Sequence, residues 1–399
     1  MKRYFLGMAA NYKGRLWAHT FAIGCERDRG ALQRFLTQKY GGQAILTKNG
    51  RSALALALKA YFEPGDAVIV NGFTCYAVYE AVKAAKLIPI WIDINKDDLN
   101  FDAHTLEGLI SDGSRLARSG PSLRAELRSL RSSLVAYGLE PSETQAPVKG
   151  IIIQNSLGNP VDITAIEKFA KQHSLTIVED LAHCAGVRYA DGREAGTVGA
   201  AAALSFGKDK SIDTISGGAV VLRAPCKTAI EAPSKLPKIS DTLRARFYPL
   251  LGTMARGLSY IKLGGAFMRC LVKIHWVEKS ADNKLDLERK IAKFEAKLAL
   301  KQLKNLKKSG EPPLREFYLV RDRAEVLEKL QEKGYYFGGF WYEKPVSPER
   351  YYKKVHFPED KCPVATEVAA KIINFPTYYS KKDLEPARKI VAEYTEDRK

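Results

Sequence analysis

Short apolar runs alternate along the first 225 residues with segments whose apolar positions recur every three or four residues. The runs at 67–70, 88–93, 149–153, 175–179, 201–206 and 218–222 are nearly continuous in Val, Ile, Leu and Ala, the pattern of strands covered on both faces. Between them the spacing predicts helices over 50–62, 76–85 and 164–173, and Pro64-Gly65-Asp66 reads as a turn. Strand and helix in alternation predict an α/β layer, a mostly parallel central sheet flanked by helices. Ligands of such sheets bind at the carboxyl ends of the strands.

Two stretches break the rhythm. Residues 112–147, rich in Ser, Arg and Leu, read as a surface insertion with a helix near 121–137. Residues 226–283 read as a second insertion or linker. Within it, 243–276 is apolar and basic, with Arg244, Arg246, Arg256, Lys262, Arg269 and Lys273 interleaved. Gly252, Gly257 and Gly264-Gly265 break that stretch too often for one long helix. It reads as an amphipathic piece packed on the protein or a dimer partner, or lying on an anionic membrane surface. A long charged helix is expected over 285–306, with Ile291, Phe294, Leu298 and Leu300 inward. Beyond Pro312-Pro313 come a strand at 317–320, helices at 324–333 and 366–372, the run 373–376, and a last helix from 382 to 394. The expected organisation is a large α/β domain over 1–225, the basic insertion over 226–283, and a smaller C-terminal α+β domain over 284–399.

Composition adds partners and setting. The 399 residues, 46% hydrophobic and 27% charged, suffice for two domains with a sizeable core. Lys and Arg number 63 against 45 Asp and Glu, and the resulting +18 favours anionic partners. The cations surround no aromatic platform or reading helix, so nucleic acid is not expected. Cys25, Cys75, Cys184, Cys226, Cys270 and Cys362 form no CxxC pair. That argues against a metal site or a disulfide framework and fits a reducing, cytoplasmic setting. The N-terminal apolar run breaks at Asn11-Tyr12-Lys13 and does not read as a signal peptide, and no run of about 18 apolar residues predicts a membrane span.

The candidate chemistry lies between 180 and 218. Asp180 closes one apolar run, His183 follows three residues later, and Ser205 closes a small-residue run 25 residues after Asp180. Lys210 stands in the loop beyond, ahead of Gly217-Gly218. Each residue type matches one atom group of pyridoxal 5'-phosphate. A lysine amine bonds the aldehyde, a carboxylate pairs with the ring nitrogen, and a hydroxyl holds the phosphate. His183 is placed to stack on the ring or to hydrogen-bond its hydroxyl. Lys208 is only two residues from Lys210, and the order strand, loop, lysine favours Lys210. Gly50-Arg51-Ser52 opens the helix over 50–62, whose first amides form a cradle for an anion, with Arg51 adding charge.

In this order the segments resemble the DegT/DnrJ/StrS family of pyridoxal-phosphate sugar aminotransferases. The matching stretches are Gly50-Arg51-Ser52-Ala53-Leu54, Pro64-Gly65-Asp66-Ala67-Val68, Phe73-Thr74-Cys75-Tyr76, Asp180-Leu181-Ala182-His183, Ser205-Phe206 through Lys210, and Gly217-Gly218. Lys361-Cys362-Pro363-Val364-Ala365 and Ile373-Asn374-Phe375-Pro376-Thr377 extend the resemblance, which covers about 30–395. It implies the aspartate aminotransferase fold, fold type I. It implies that Lys210 holds the cofactor, Asp180 faces the ring nitrogen and His183 contacts the ring hydroxyl. Ser205 and the amides of Gly50, Arg51 and Ser52 would then hold the phosphate. Cys75 occupies the slot of the usual ring-stacking aromatic, with Tyr76 next to it. Arg51 replaces the usual threonine. Glu288 falls where the family's asparagine reaches a neighbouring subunit's phosphate, and the family's segment ahead of that point is not visible.

The resemblance implies amino transfer from an amino acid, glutamate, to a keto sugar carried on a nucleotide. Such steps serve the synthesis of cell-surface polysaccharide or secondary-metabolite sugars, and the family's site is built in a homodimer. Relatives that remove a sugar hydroxyl carry histidine at the lysine position, so Lys210 points to amino transfer over a sugar dehydratase. A non-catalytic relative that uses the fold as a binding module at a membrane surface is the other reading.

Overall fold

The computed structural model describes residues 3–6, 19–113, 146–223, 225–277, 284–306, 314–337, 341–377 and 379–395. The helix expected near 121–137 lies outside the described residues. Seven strands form the central sheet: β1 Gln43–Thr47, β2 Ala67–Asn71, β3 Ile88–Ile92, β4 Val148–Ile153, β5 Thr176–Asp180, β6 Ala201–Ser205 and β7 Gly218–Leu222. Their spatial order is β3-β2-β4-β5-β6-β7-β1. All run parallel except β7, which is antiparallel to both β6 and β1.

Helices α1 Glu26–Tyr40, α2 Gly50–Tyr61, α3 Tyr76–Ala84, α4 Ala103–Gly113 and α5 Ile163–Gln172 flank this sheet. Successive side chains of a strand point to opposite faces. Val68 and Val70 therefore join Ile152, Val178 and Ala203 under α2 and α3, against Leu54, Leu58 and Val82. Ile69 joins Ile151, Ile153, Ile177 and Leu204 on the other face, against Leu32 and Leu36 of α1 and Ile166 and Phe169 of α5. Burial on both faces explains why the strands read as unbroken apolar runs.

The basic insertion folds as two helices, α6 Ile239–Ser259 and α7 Gly264–Lys273. The expected break is displaced. α6 continues through Pro249, Gly252 and Gly257, and the chain turns at Lys262, whose φ is 61°. Helix α8 spans Lys293–Lys304, shorter than the expected 285–306. The Asp286 carboxylate accepts from the amides of Glu288 (3.1 Å) and Arg289 (3.0 Å), which makes a turn there, and Arg289 bridges to Lys235. Of the four side chains expected to face inward, Ile291 and Phe294 are buried, and Leu298 and Leu300 only partly so.

β8 Arg315–Leu319 pairs antiparallel with β9 Ile372–Pro376, flanked by α9 Arg323–Glu332, α10 Pro363–Lys371 and α11 Lys381–Ala392. This C-terminal unit has its own core, built on Val320, Val326, Leu330, Ile373, Phe375 and Leu384. Leu6 is buried in the same core, because Tyr4–Phe5 pairs in parallel with Tyr335–Tyr336. Val346–Ser347 pairs in parallel with Thr74–Cys75 outside the central sheet, and Phe317, Val346, Val368 and Ile372 join the core under α2 and α3.

Candidate active site

Asp180 ends β5 and Ser205 ends β6, so neighbouring parallel strands bring the two side chains to one carboxyl edge. β1 reaches the same edge and leads into α2, and β7 starts there at Gly218. Asn49 caps α2: its Oδ1 accepts from the Ser52 amide and the Ser52 hydroxyl, both at 2.9 Å. Ser52 Oγ also accepts from the Asp286 amide at 3.0 Å. Ser52 is thus fully buried with its amide and hydroxyl both engaged, and serves the cap rather than the anion cradle. Gly50 is the residue of this helix end that lies against Ser205. A Cβ on Gly50 would lie 2.4 Å from Ser205 Cβ and 2.7 Å from its Oγ, so only glycine lets the helix end approach Ser205. The amide of Gly207 points at that Oγ from 3.4 Å. Arg51 is buried and does not reach into solvent; its guanidinium pairs with Glu80 of α3.

The loop after β6 separates the two lysines. Asp209 has φ 60°, a left-handed turn that sends its neighbours different ways. Lys208 Nζ lies 4.0 Å from the Tyr248 ring centroid on α6. Lys210 Nζ reaches back to His183 Nε2 at 3.0 Å. Burial lowers the Lys210 pKa, against the opposing charges of Asp180 and Asp209. Burial likewise raises the Asp180 pKa, against the Ala182 amide and Lys210.

His183 is held from both ends. The Leu157 amide donates to Nδ1 at 3.2 Å, so that nitrogen carries no proton and the ring proton sits on Nε2. Nε2 faces Lys210 Nζ and, at 3.2 Å, the Tyr342 hydroxyl. Burial, with the charges of Lys210 and Arg315 adding to it, holds the ring well below the usual histidine range.

Cys75 is half-buried at the start of α3, within electrostatic reach of Lys210. Tyr76 goes elsewhere: its ring stacks on Tyr351, with centroids 4.4 Å apart. The large ring beside His183 is one that sequence reasoning missed. Trp341 stacks on the imidazole at 5.0 Å between centroids and 26° between planes. Lys210 Nζ lies 4.4 Å from the Trp341 ring centroid and Arg315 Cζ 4.7 Å from it. Arg315 is itself fixed by Asn374 Oδ1 at 2.9 Å. Only the aromatic density of Phe340-Trp341-Tyr342 signalled this segment, and no spacing rule ties it to Lys210, 131 residues earlier.

The chemistry of this donor set fits pyridoxal 5'-phosphate. Among the described residues the buried Asp180 carboxylate takes one side-chain hydrogen bond, from Ala182 at 2.9 Å, and a protonated ring nitrogen would give it a cation in contact. The Gly50–Ser205 approach leaves no room for a Cβ and sets a helix N-terminus beside a hydroxyl.

The model of the DegT/DnrJ/EryC1/StrS aminotransferase family matches residues 29–231, which carry all seven sheet strands and the set from Gly50 to Lys210. The chain is 32% identical over 207 residues to the dTDP-3-amino-3,4,6-trideoxy-alpha-D-glucose transaminase of Streptomyces venezuelae, covering 51% of this chain and 42% of that protein. It is 29% identical over 178 residues to the GDP-perosamine synthase of Caulobacter vibrioides, covering 44% and 38%. The alignments span about two fifths of the length of these curated relatives. The solved structure of S. venezuelae DesV shares the fold, with TM-score 0.62, 18% identity and 98% of each chain covered. With the family model matched over half of its length and the fold shared end to end, the chain belongs to the DegT/DnrJ/EryC1/StrS aminotransferase family.

Proposed function

We propose that this protein is a pyridoxal 5'-phosphate-dependent aminotransferase. It moves an amino group from an amino acid, glutamate, to a keto sugar carried on a nucleotide, in cell-surface polysaccharide or secondary-metabolite sugar synthesis. The observation that carries this reading is Lys210 Nζ at 3.0 Å from His183 Nε2, at the edge where Asp180 and Ser205 end neighbouring strands. When bound, the cofactor supplies an aldehyde that receives the amino group and a ring that stores the electrons of the proton shift.

The protein's own residues do the rest. Burial leaves more of the Lys210 amine unprotonated at neutral pH than an exposed lysine would have. Lys210 would hold the cofactor, and its Nζ, once released, would be the base that takes up a proton and gives it back. Asp180 stabilises positive charge on the ring nitrogen. His183, its Nδ1 fixed by Leu157, keeps a proton on Nε2 to donate toward the ring hydroxyl. Ser205 Oγ and the Gly50 end of α2 hold the phosphate. Trp341 and Tyr342 cover His183 beside Lys210.

The names of the two curated relatives, one on a dTDP sugar and one on a GDP sugar, support a nucleotide-linked substrate, and the charge of +18 suits one. The reading includes a homodimer working in the cytoplasm, the setting that the cysteine pattern favours. With cofactor added, the purified protein is expected to show a visible absorbance band and to release 2-oxoglutarate from glutamate when a keto-sugar nucleotide is present. Lys210→Ala should abolish both. A band that survives in Lys210→Ala would sink the lysine assignment, and loss of a sugar hydroxyl without 2-oxoglutarate would show dehydration instead.

A further inference from the structure

The α6–α7 hairpin lies beyond the stretch that the family model matches. From 242 to 277 it carries Arg244, Arg246, Arg256, Lys262, Arg269 and Lys273 and no Asp or Glu. Its inner side is accounted for. Ala245, Tyr248 and Leu271 pack on Ile215 and Phe294, and Arg246 donates to the carbonyls of Thr20 and Ala22.

The outer side has a chemistry of its own. Arg269 and Lys273 stand one turn apart on the exposed face of α7, and the exposed Lys262 precedes them in the turn. Leu263, Cys270 and Ile274 follow the same spacing one residue on, so an exposed apolar stripe runs beside the cations, turned by about 100°. Leu263 is 54% exposed, Ile274 61% and Ile261 63%. Tyr260 and Trp276, also exposed, mark the two ends. Apolar side chains this exposed, in a row and flanked by positive charge with no acid between 242 and 277, are what a surface helix presents to an interface that is oily below and anionic above.

We propose that the α6–α7 hairpin docks on an anionic lipid surface, with Leu263 and Ile274 at the headgroup boundary and Lys262, Arg269 and Lys273 on the lipid phosphates. No helix among the described residues is long and apolar enough to cross a membrane, so the contact is one of lying on the surface. A second copy fits less well. A two-fold contact whose axis passes through this patch would set cation against cation, with no acid in 242–277 to pair with them. The docking stands apart from the transferase chemistry, since none of these side chains touches Lys210 or His183 in the contacts that define the site.

The test is flotation of the full-length protein with phosphatidylcholine vesicles, with or without phosphatidylglycerol, at low and high salt. Binding is expected only to the vesicles with phosphatidylglycerol and should weaken with salt. Each neutralised cation costs about fivefold, so Lys262→Gln/Arg269→Gln/Lys273→Gln should lose roughly a hundredfold. Leu263→Ser/Ile274→Ser should weaken what binding remains at high salt. Circular dichroism and the visible band report whether the variants keep the fold and the cofactor site. Equal binding to neutral vesicles, undiminished binding by the triple variant, or self-association through these residues without vesicle binding would overturn the proposal. A missing visible band in the wild-type protein would count against the transferase reading and leave the vesicle result standing.

Discussion

The amide of Leu157 donates to Nδ1 of His183, and that bond fixes the charge of the ring as well as its tautomer. Protonating the folded ring breaks the bond and buries a charge near Lys210 and Arg315. In the unfolded chain His183 titrates near its usual value of about 6.5. Below that pH the unfolded state therefore binds the extra proton and the folded state does not, so stability is lost as pH falls. We expect His183→Asn to flatten the dependence, with the wild type losing up to about 1.4 kcal/mol more per pH unit below about 6.5. Urea midpoints from pH 5 to 8 check this, and parallel curves for the two proteins would refute it. Residue identity and order were enough to put Asp180, His183, Ser205 and Lys210 at one strand edge, because each ends or follows a strand. They were not enough to say what each neighbour does. Tyr76 turns to Tyr351, far away in sequence, and the Ser52 hydroxyl is shared between its local cap partner Asn49 and the distant Asp286 amide.

At the scale of elements, α8 shows where pattern reading overreaches. The charged stretch ahead of it has helix-forming residues, but Asp286 binds the following amides and turns the chain, so the helix starts at Lys293. Its capping acid, Glu295, accepts from the Ala292 amide at 3.0 Å and is almost fully buried, and burial pushes its pKa up to about 7. The folded state then holds a proton that the unfolded state releases between the ordinary value of 4.5 and about 7, so stability falls as pH rises through that window. Glu295→Gln keeps an acceptor for the cap and removes the charge. It should match the wild type near pH 4 and exceed it by about 3 kcal/mol at pH 8, the size of the shift in free energy. Denaturant titration at the two pH values measures this, and an equal difference at both would refute it. The sheet strands were easier to read. Six of the seven give apolar runs that turns delimit. β1 escaped notice because Gln43-Ala44-Ile45-Leu46-Thr47 is short, ends in a polar residue and follows a helix with a gap of two.

For the whole molecule the question is what couples the C-terminal unit to the sheet. Three interactions meet on one side chain: the Trp341 indole stacks on His183, lies under Lys210 Nζ and faces the Arg315 guanidinium. Tyr342 adds a hydroxyl to the same histidine, and Asn374 of β9 holds both Arg315 and the Trp341 carbonyl. The site is therefore also the joint, and its closure rests on a residue that no local pattern in the sequence connects to it. A stack and two cation–π contacts are together worth about 2–3 kcal/mol. Trp341→Ala should release that much coupling, so amides of β8 and β9 should exchange with solvent roughly fiftyfold faster while those of β4, β5 and β6 stay protected. The division follows from the cores. The seven-stranded sheet is covered on both faces without the indole, whereas β8 and β9 are a two-stranded pair divided between two cores, Phe317 and Ile372 in that of α2 and α3 and Ile373 and Phe375 in that of α9 and α11, with the indole contact beside them. Hydrogen exchange read segment by segment decides the matter. Uniform acceleration across both units would mean that they unfold as one body, and no change in β8 and β9 would mean that the coupling lies elsewhere.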